Sequence, residues 1–146
     1  MTTIGRAMQP SERDEQVAFV SYLRFQYPDV LFFSVPNGAR LASGRGPRAN
    51  QIAAIRWRNL LAEGALPGVS DLIIYEPRGG YSAMFLEMKR ADGGNGGSEK
   101  QSDFLLKVEQ RGGFGVIADG CDDACKWADD YLNNKIVKPP ANKLPS

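Results

Sequence analysis

The chain has 146 residues, of which 42% are hydrophobic and 24% are charged, and its formal net charge at pH 7 is +1. These values are typical of one globular domain with its own hydrophobic core, and they exclude a disordered or highly charged polymer. No stretch of the sequence approaches the roughly 18 consecutive apolar residues of a membrane-spanning helix. Residues 1–10 also lack the basic and then apolar pattern of a signal peptide. We therefore expect a cytoplasmic protein with no membrane partner.

The sequence contains no histidine. Because imidazole is the commonest general base near neutral pH and the commonest zinc ligand, its absence excludes Ser-His-Asp and Cys-His hydrolysis, histidine-based metalloproteases and Cys₂His₂ zinc fingers. The two cysteines, Cys121 and Cys125, are too far apart for a Cys-x-x-C motif and too few for a zinc site. We interpret them as small buried residues at the start of a helix. The chemistry that remains is that of carboxylates, lysine and thiols.

Hydrophobic periodicity and turn residues predict eight elements. Helices are predicted where apolar residues recur at helical spacing, at 11–26, 48–63, 98–111 and 122–133. Strands are predicted for four short apolar runs, at 30–35, 69–75, 83–88 and 114–118. The second and third strands should pair as an antiparallel hairpin across a Gly- and Pro-containing loop. This order predicts an α/β fold with a central sheet of about four strands flanked by helices.

The two ends of the chain carry little that a core could bury. Residues 1–10 precede the first periodic segment, and residues 135–146 are rich in Lys, Pro and Asn. We expect both segments to be flexible and residues 11–134 to form the domain.

Charged residues interrupt the apolar run of the hairpin. Side chains alternate faces along a strand, so Glu87 and Lys89 share one face. Asp71 is the only acid at the start of the preceding strand, which should pair with the strand of Glu87. The sequence therefore predicts two carboxylates and one ammonium group close together.

This grouping favours a hard divalent cation, because paired carboxylate oxygens suit Mg²⁺ or Mn²⁺. The backbone carbonyl of Met88 offers a further ligand. Lys89 could orient or deprotonate an attacking water, or neutralise charge on a scissile phosphate. Both roles suit phosphodiester hydrolysis, although an ordinary ion pair at a sheet edge would also explain Glu87 and Lys89.

Five arginines and no acid lie between residues 40 and 58. The guanidinium group binds phosphate in bidentate fashion, so this segment is the best candidate for contacting a nucleic-acid backbone. The predicted contacts are made by Arg40, Arg45, Arg48, Arg56 and Arg58.

The spacing of Asp71 and Glu87-x-Lys89 resembles that of the PD-(D/E)XK nuclease superfamily. With the Val35-Pro36-Asn37-Gly38 turn, the segment 68–72 and the segment 98–101, the chain is similar to the VRR-NUC family, notably its short stand-alone members in phages and bacteria. The similarity runs from about residue 11 to residue 124. It implies a restriction-endonuclease-like core, Mg²⁺- or Mn²⁺-dependent cleavage of DNA in a bacterial or phage-infected cell, and frequently a homodimer.

The resemblance also implies roles for individual residues. The metal-binding acids of the family fall on Asp71 and Glu87, its lysine on Lys89, and its following glutamine on Gln101. A glutamate of the first helix is expected at Glu12, with Glu15 as a competitor. Asn37 follows the first strand, so its turn should lie near the metal cleft, although Pro-Asn-Gly is also an ordinary turn signal.

We therefore expect a metal-dependent DNA endonuclease, selective for structures such as Holliday junctions or flaps. Two alternatives remain open. One is a catalytically silent nucleic-acid-binding module of the same fold, and the other is a thiol-based or partner-binding protein in which Glu87 and Lys89 are structural.

Overall fold

The computed structural model describes residues 8–36, 44–93 and 97–141. In this part of the chain the predicted order of elements is confirmed, with four helices and four strands. The helices are α1 (Glu12–Gln26), α2 (Pro47–Ala62), α3 (Glu99–Gln110) and α4 (Gly120–Leu132). The strands are β1 (Phe32–Ser34), β2 (Leu72–Ile74), β3 (Met84–Lys89) and β4 (Phe114–Asp119).

The four strands form one mixed sheet in the order β1-β2-β3-β4. The predicted hairpin is confirmed, since β2 and β3 pair antiparallel with Leu72 opposite Leu86. β1 pairs antiparallel with β2, whereas β4 pairs parallel with β3. β1 and β2 are shorter than predicted, but one backbone hydrogen bond beyond each end prolongs their pairing, from Val35 to Asp71 and from Tyr75 to Leu31.

One face of the sheet carries the hydrophobic core. Met84, Leu86 and Met88 alternate along β3 on this face, and all three are fully buried. They pack with α1 and α4, whose inward residues recur at the spacing of three and four that places side chains on one helix face. The buried helix residues of this core are Phe19, Leu23, Ala124, Ala128, Tyr131 and Leu132.

The opposite face of β3 and β4 is covered by α3. Phe85 of β3 meets Phe104 of α3 edge to face, with ring centroids 6.0 Å apart. Gly115 lets the helix approach closely, because a Cβ there would lie 3.0 Å from Cδ2 of Leu105. Glu87 and Lys89 share this face with Phe85, so the packing of α3 determines what surrounds them.

Helix α2 packs loosely. Its N-cap, Gly46, has a φ of 103°, which favours glycine, and Pro47 follows at the first helical position. The helix contains no buried residue, and Ile52 and Ile55 are 42% and 54% exposed. An apolar side of this helix is therefore left to solvent.

The described part of the predicted C-terminal tail contacts the domain. Ile136 packs against the core, and the backbone N–H of Lys138 donates to the carbonyl of Gly79 at 2.7 Å. The proposed domain limits stay predictions. Among the described residues, no helix has the length and apolar character needed to cross a membrane.

Candidate active site

Asp71 lies at the entrance of β2, where the hairpin opens. Its side-chain Oδ2 accepts a hydrogen bond of 2.8 Å from the backbone N–H of Met88. The preceding loop reaches this position through Gly68, whose φ is 79° and whose Cβ, if present, would lie 2.5 Å from the carbonyl oxygen of Lys100. Only glycine allows that approach, so the backbone itself brings Asp71 and the first turn of α3 together.

Glu87 and Lys89 lie side by side on β3, as predicted from the alternation of faces. Both residues are buried, with 3% and 8% of their surfaces exposed. Nζ of Lys89 is 3.5 Å from Oε1 of Glu87, which makes an ion pair with little access to solvent. Burying two charges is unfavourable unless further hydrogen bonds stabilise them.

Gln101 of α3 provides those hydrogen bonds. Its Nε2 donates to Oε1 of Glu87, and its Oε1 accepts from Nζ of Lys89 at 3.1 Å. One side-chain amide therefore joins the carboxylate and the ammonium group. The structure brings together four of the predicted site residues, Asp71, Glu87, Lys89 and Gln101.

The carboxyl group of Glu87 titrates far from its usual range. Burial and the neighbouring charge of Asp71 raise its pKa from 4.5 to about 8, and the charge of Lys89 opposes this shift only in part. The carboxyl group also contacts the side chain of Asp71, a hydrogen bond that needs a proton on one of the two carboxyls. No N–H or other donor of the described residues reaches the second oxygen, Oε2, which is buried. A buried carboxylate oxygen in this condition is unfavourable, and a cation placed between Glu87 and Asp71 would relieve both the missing contact and the repulsion.

The donor set fits Mg²⁺ or Mn²⁺. Within the described ranges, no three His, Cys, Asp or Glu side chains form a metal-binding group, so side chains would supply two ligands. Because the N–H and C=O of a strand residue point to the same side, the carbonyl of Met88 faces the side of Asp71, as its N–H does. Two carboxylates and a carbonyl leave positions for waters and phosphate oxygens, which is how proteins usually hold Mg²⁺.

The two candidate acids of the first helix have different surroundings. Glu15 is buried, and its Oε2 accepts a 2.6 Å hydrogen bond from the backbone N–H of Cys121, in the first turn of α4. Glu12 is exposed one turn earlier, and no hydrogen bond or ion pair joins it to the four clustered residues in the described structure. Sequence reasoning missed the structural role of Glu15. A signal was present, since Glu15 precedes the buried Phe19 and Leu23 at spacings of four and eight on one face.

The predicted DNA-binding residues lie mostly on the surface of α2. Arg45, Arg48, Arg56 and Arg58 are all exposed, in the approach to α2 and along the helix. Asn37 and Arg40 lie outside the described residues.

The thiols are poor nucleophiles in this environment. Cys121 and Cys125 lie in the first turns of α4 with their sulfur atoms 3.8 Å apart. Burial raises the pKa of both groups, that of Cys125 to about 12, so both stay protonated near neutral pH. This environment gives no support to thiol-based chemistry.

The four-stranded mixed sheet with helices on both faces is the predicted α/β architecture, and the carboxylate pair lies at the open end of its hairpin. A solved structure described as a VRR_NUC domain protein superposes on this chain with a TM-score of 0.64, covering 90% of this chain and 95% of that chain at 18% sequence identity. At this identity the likeness establishes a shared fold, and it confirms the predicted VRR-NUC resemblance at that level. No family model and none of the curated proteins matches the sequence.

Proposed function

We propose that the protein is a nuclease of the VRR-NUC type that hydrolyses phosphodiester bonds in DNA with Mg²⁺ or Mn²⁺. The observation that carries this proposal is the buried cluster of Asp71, Glu87, Lys89 and Gln101, in which two carboxyl groups lie together and no N–H donor of the described residues reaches Oε2 of Glu87. The shared fold with a VRR_NUC domain protein supports the same class of activity.

Asp71 and Glu87 are the side chains that would hold the cation, with the carbonyl of Met88 as a third ligand. When bound there, the cation would polarise the scissile phosphate and lower the pKa of an attacking water. The hydrogen bond from Met88 N–H to Asp71 fixes the distance between the two strands at this point. Asp71 is therefore held in place before any substrate arrives.

Lys89 would serve the attacking water or the phosphate. Its ammonium group has three donors, of which one binds Gln101 at 3.1 Å. A second donor faces Oε1 of Glu87 at 3.5 Å, so the third remains for a water or a phosphate oxygen. A cation at this position stabilises the negative charge that develops on the phosphate during hydrolysis. Glu12 and Gln101 complete the proposed catalytic set.

We propose that exposed arginines bind the DNA backbone and that branched DNA, such as a junction or a flap, is preferred. Arg45, Arg48, Arg56 and Arg58 are exposed, and Arg40 belongs to the same basic segment of the sequence. Phosphate contacts position a duplex without reading its bases, so selectivity would come from the shape of the DNA. Asn37, which follows β1 in the sequence and lies outside the described residues, is the remaining proposed contact. A homodimer would present two such sites to a branched substrate.

The test is cleavage of labelled duplex, flap and four-way-junction DNA in Mg²⁺, in Mn²⁺ and in a chelator, with wild-type protein and Asp71→Asn. Asparagine retains an oxygen that can accept from Met88 N–H, but it removes the charge. We expect the variant to fold normally and to lose activity by about 100-fold or more. Asp130→Asn is the matched control. Asp130 lies near the end of α4, and its ion pair among the described residues is a 4.0 Å contact with the exposed Lys135.

Other outcomes separate the alternatives. DNA binding without cleavage under every metal would favour a silent nucleic-acid-binding module. Cleavage by Asp71→Asn at the wild-type rate would show that the assigned site is wrong, and cleavage in chelator that depends on Cys121 or Cys125 would restore the thiol hypothesis.

A further inference from the structure

Two helices of this protein begin with the same capping motif. In α1, Oγ of Ser11 accepts from the N–H of Asp14 at 3.1 Å, and Oδ2 of Asp14 accepts from the N–H of Ser11 at 3.2 Å. In α3, Oγ of Ser98 accepts from the N–H of Gln101 at 3.2 Å, and Oε1 of Gln101 accepts from the N–H of Ser98 at 2.8 Å. Both arrangements satisfy N–H groups that a helix start leaves unpaired.

The two motifs differ in what else the third residue touches. The capping motif of Ser11 and Asp14 is exposed, and both of its hydrogen bonds join these two residues. Gln101 instead reaches two side chains of β3, through Oε1 to Lys89 and through Nε2 to Glu87. The α3 cap is therefore joined to the candidate active site.

We propose that Ser98 is a positioning residue, whose backbone N–H fixes the orientation of the Gln101 amide and thereby holds Glu87 and Lys89 in place. This inference rests on the proposed function, because it concerns the same site. It assigns a role to Ser98 that its helix-capping position alone does not require.

The two ends of the Gln101 amide differ in hydrogen-bonding chemistry, since the oxygen accepts and the nitrogen donates. A glutamine side chain can turn over and exchange its oxygen and nitrogen ends. In the reversed orientation the NH₂ group would face the N–H of Ser98 and the ammonium group of Lys89, so that three donors would meet. Its oxygen would then face the carboxylate of Glu87. The N–H of Ser98 belongs to the backbone and can only donate, so it selects the orientation that serves both β3 side chains.

The choice of glutamine in the cap supports the same conclusion. Capping boxes accept either Glu or Gln at this position. A glutamate would cap α3 equally well, but it would place a further carboxylate against Glu87 and offer no donor. Glutamine gives Glu87 a donor at Oε1, and Oε2, which no N–H donor of the described residues reaches, is left as the oxygen available to a cation.

Two substitutions at one position separate positioning from capping. Ser98 has φ of −66° and ψ of 159°, which proline adopts without strain. Ser98→Ala removes the hydroxyl and keeps the N–H, whereas Ser98→Pro removes both and places its ring where the amide oxygen of Gln101 now binds. Ser11→Ala is the matched control, since it removes the same capping hydroxyl from α1.

Three quantities are measured for each variant without DNA. They are the midpoint of thermal unfolding, the NMR resonances of the Gln101 side-chain amide, and the Mn²⁺ concentration at half-saturation by calorimetry. We expect Ser98→Ala and Ser11→Ala to lower the unfolding midpoint while leaving the other two quantities near the wild-type values. Ser98→Pro should shift the Gln101 amide resonances and raise the half-saturating Mn²⁺ concentration by about 10-fold or more.

Equal Gln101 resonances and equal Mn²⁺ half-saturation in Ser98→Pro and Ser98→Ala would overturn the proposal. If Ser98→Pro does not fold, the same measurements are made on Gln101→Met. A half-saturating Mn²⁺ concentration equal to that of wild type in this variant would also overturn the proposal. A wild-type protein that binds Mn²⁺ but never cleaves DNA would refute the nuclease and leave the role of Ser98 to be judged on metal binding. If wild type binds no Mn²⁺, the Gln101 resonances decide the positioning role alone.

Discussion

Nζ of Lys89 lies 3.5 Å from Oε1 of Glu87, yet this cation does not keep the carboxyl group in its usual titration range. The pKa of Glu87 is raised to about 8, because burial and the charge of Asp71 outweigh the attraction of Lys89. The ionised form of Glu87 is therefore unfavourable in the protein when no metal ion is bound. A divalent metal ion bound beside Glu87 would favour the ionised carboxylate and lower its pKa again, as expected at a metal-binding site.

This balance predicts how stability depends on pH when metal is removed. The pKa of Glu87 is higher in the folded protein than its value of 4.5 for an unperturbed group. Its contribution to stability is therefore fully present below pH 4.5 and is lost as the pH rises through about 8. Each unit of pKa difference corresponds to about 1.4 kcal/mol.

Glu87→Gln mimics the protonated carboxyl group and should remove this pH dependence. In chelator, we expect its free energy of unfolding to match that of wild type at acidic pH and to exceed it near pH 9 (roughly one unit above the raised pKa). Urea unfolding followed across this pH range checks the prediction. Saturating Mg²⁺ should stabilise wild type more than the variant, and a variant less stable than wild type at alkaline pH in chelator would contradict the pKa assignment.

The two candidate glutamates of α1, Glu12 and Glu15, should differ in their effect on stability when each is replaced by glutamine. Asp119, the N-cap residue of α4, makes no side-chain capping hydrogen bond, and the carboxylate of Glu15 binds the N–H of Cys121 instead. A negative charge at a helix start is stabilising, so Glu15→Gln should lower the free energy of unfolding by about 1–2 kcal/mol. Glu12 also lies in the first turn of a helix, but it is exposed and solvent screens its charge, so Glu12→Gln should change the free energy of unfolding by less than about 0.5 kcal/mol.

Cleavage assays then show which acid of α1 serves the reaction. If Glu12 belongs to the catalytic set, Glu12→Gln should lower the rate without lowering stability. A normal cleavage rate in Glu12→Gln would remove that residue from the set.

Arg45→Ala tests the proposed DNA contact. Arg45 is exposed just before α2. If the variant makes one phosphate contact fewer, its binding to DNA releases fewer counterions. We expect weaker DNA binding and a salt dependence of log K whose slope is shallower by about 0.9, with metal binding unchanged. Lys126→Ala, which removes an exposed cation from α4, is the control for a general loss of charge. An unchanged slope in Arg45→Ala would exclude Arg45 from the interface.

Ile55→Asp tests the homodimer. Ile55 is 54% exposed on a helix that contains no buried residue, and Ile52 lies three residues before it on the same side. If a second copy covers these apolar side chains, a charge at Ile55 should convert a dimer into a monomer in sedimentation velocity measured at several concentrations. Val137→Asp, at a side chain 67% exposed outside α2, should leave the dimer intact. A wild-type protein that sediments as a monomer throughout would refute the homodimer.

Features that depend on neighbours along the chain can be predicted from the sequence alone. The helices and strands follow from apolar periodicity and turn residues, and the hairpin of β2 and β3 follows from two apolar runs that flank one Gly- and Pro-containing loop. The common face of Glu87 and Lys89 follows from the alternation of side chains along one strand. Ser98 and Gln101 stand at the spacing of a capping box, which is also readable from sequence.

Contacts between groups far apart in the sequence depend instead on how the elements pack. The parallel pairing of β4 with β3 and the packing of α3 over this pair place Gln101 between Glu87 and Lys89. Glu15 reaches Cys121 across a separation of 106 residues, which no local pattern reports. Periodicity records which face of an element is apolar, whereas the partner of that face depends on how the whole chain packs. The raised pKa of Glu87 has the same origin, since burial and the charge of Asp71 arise only when these elements come together.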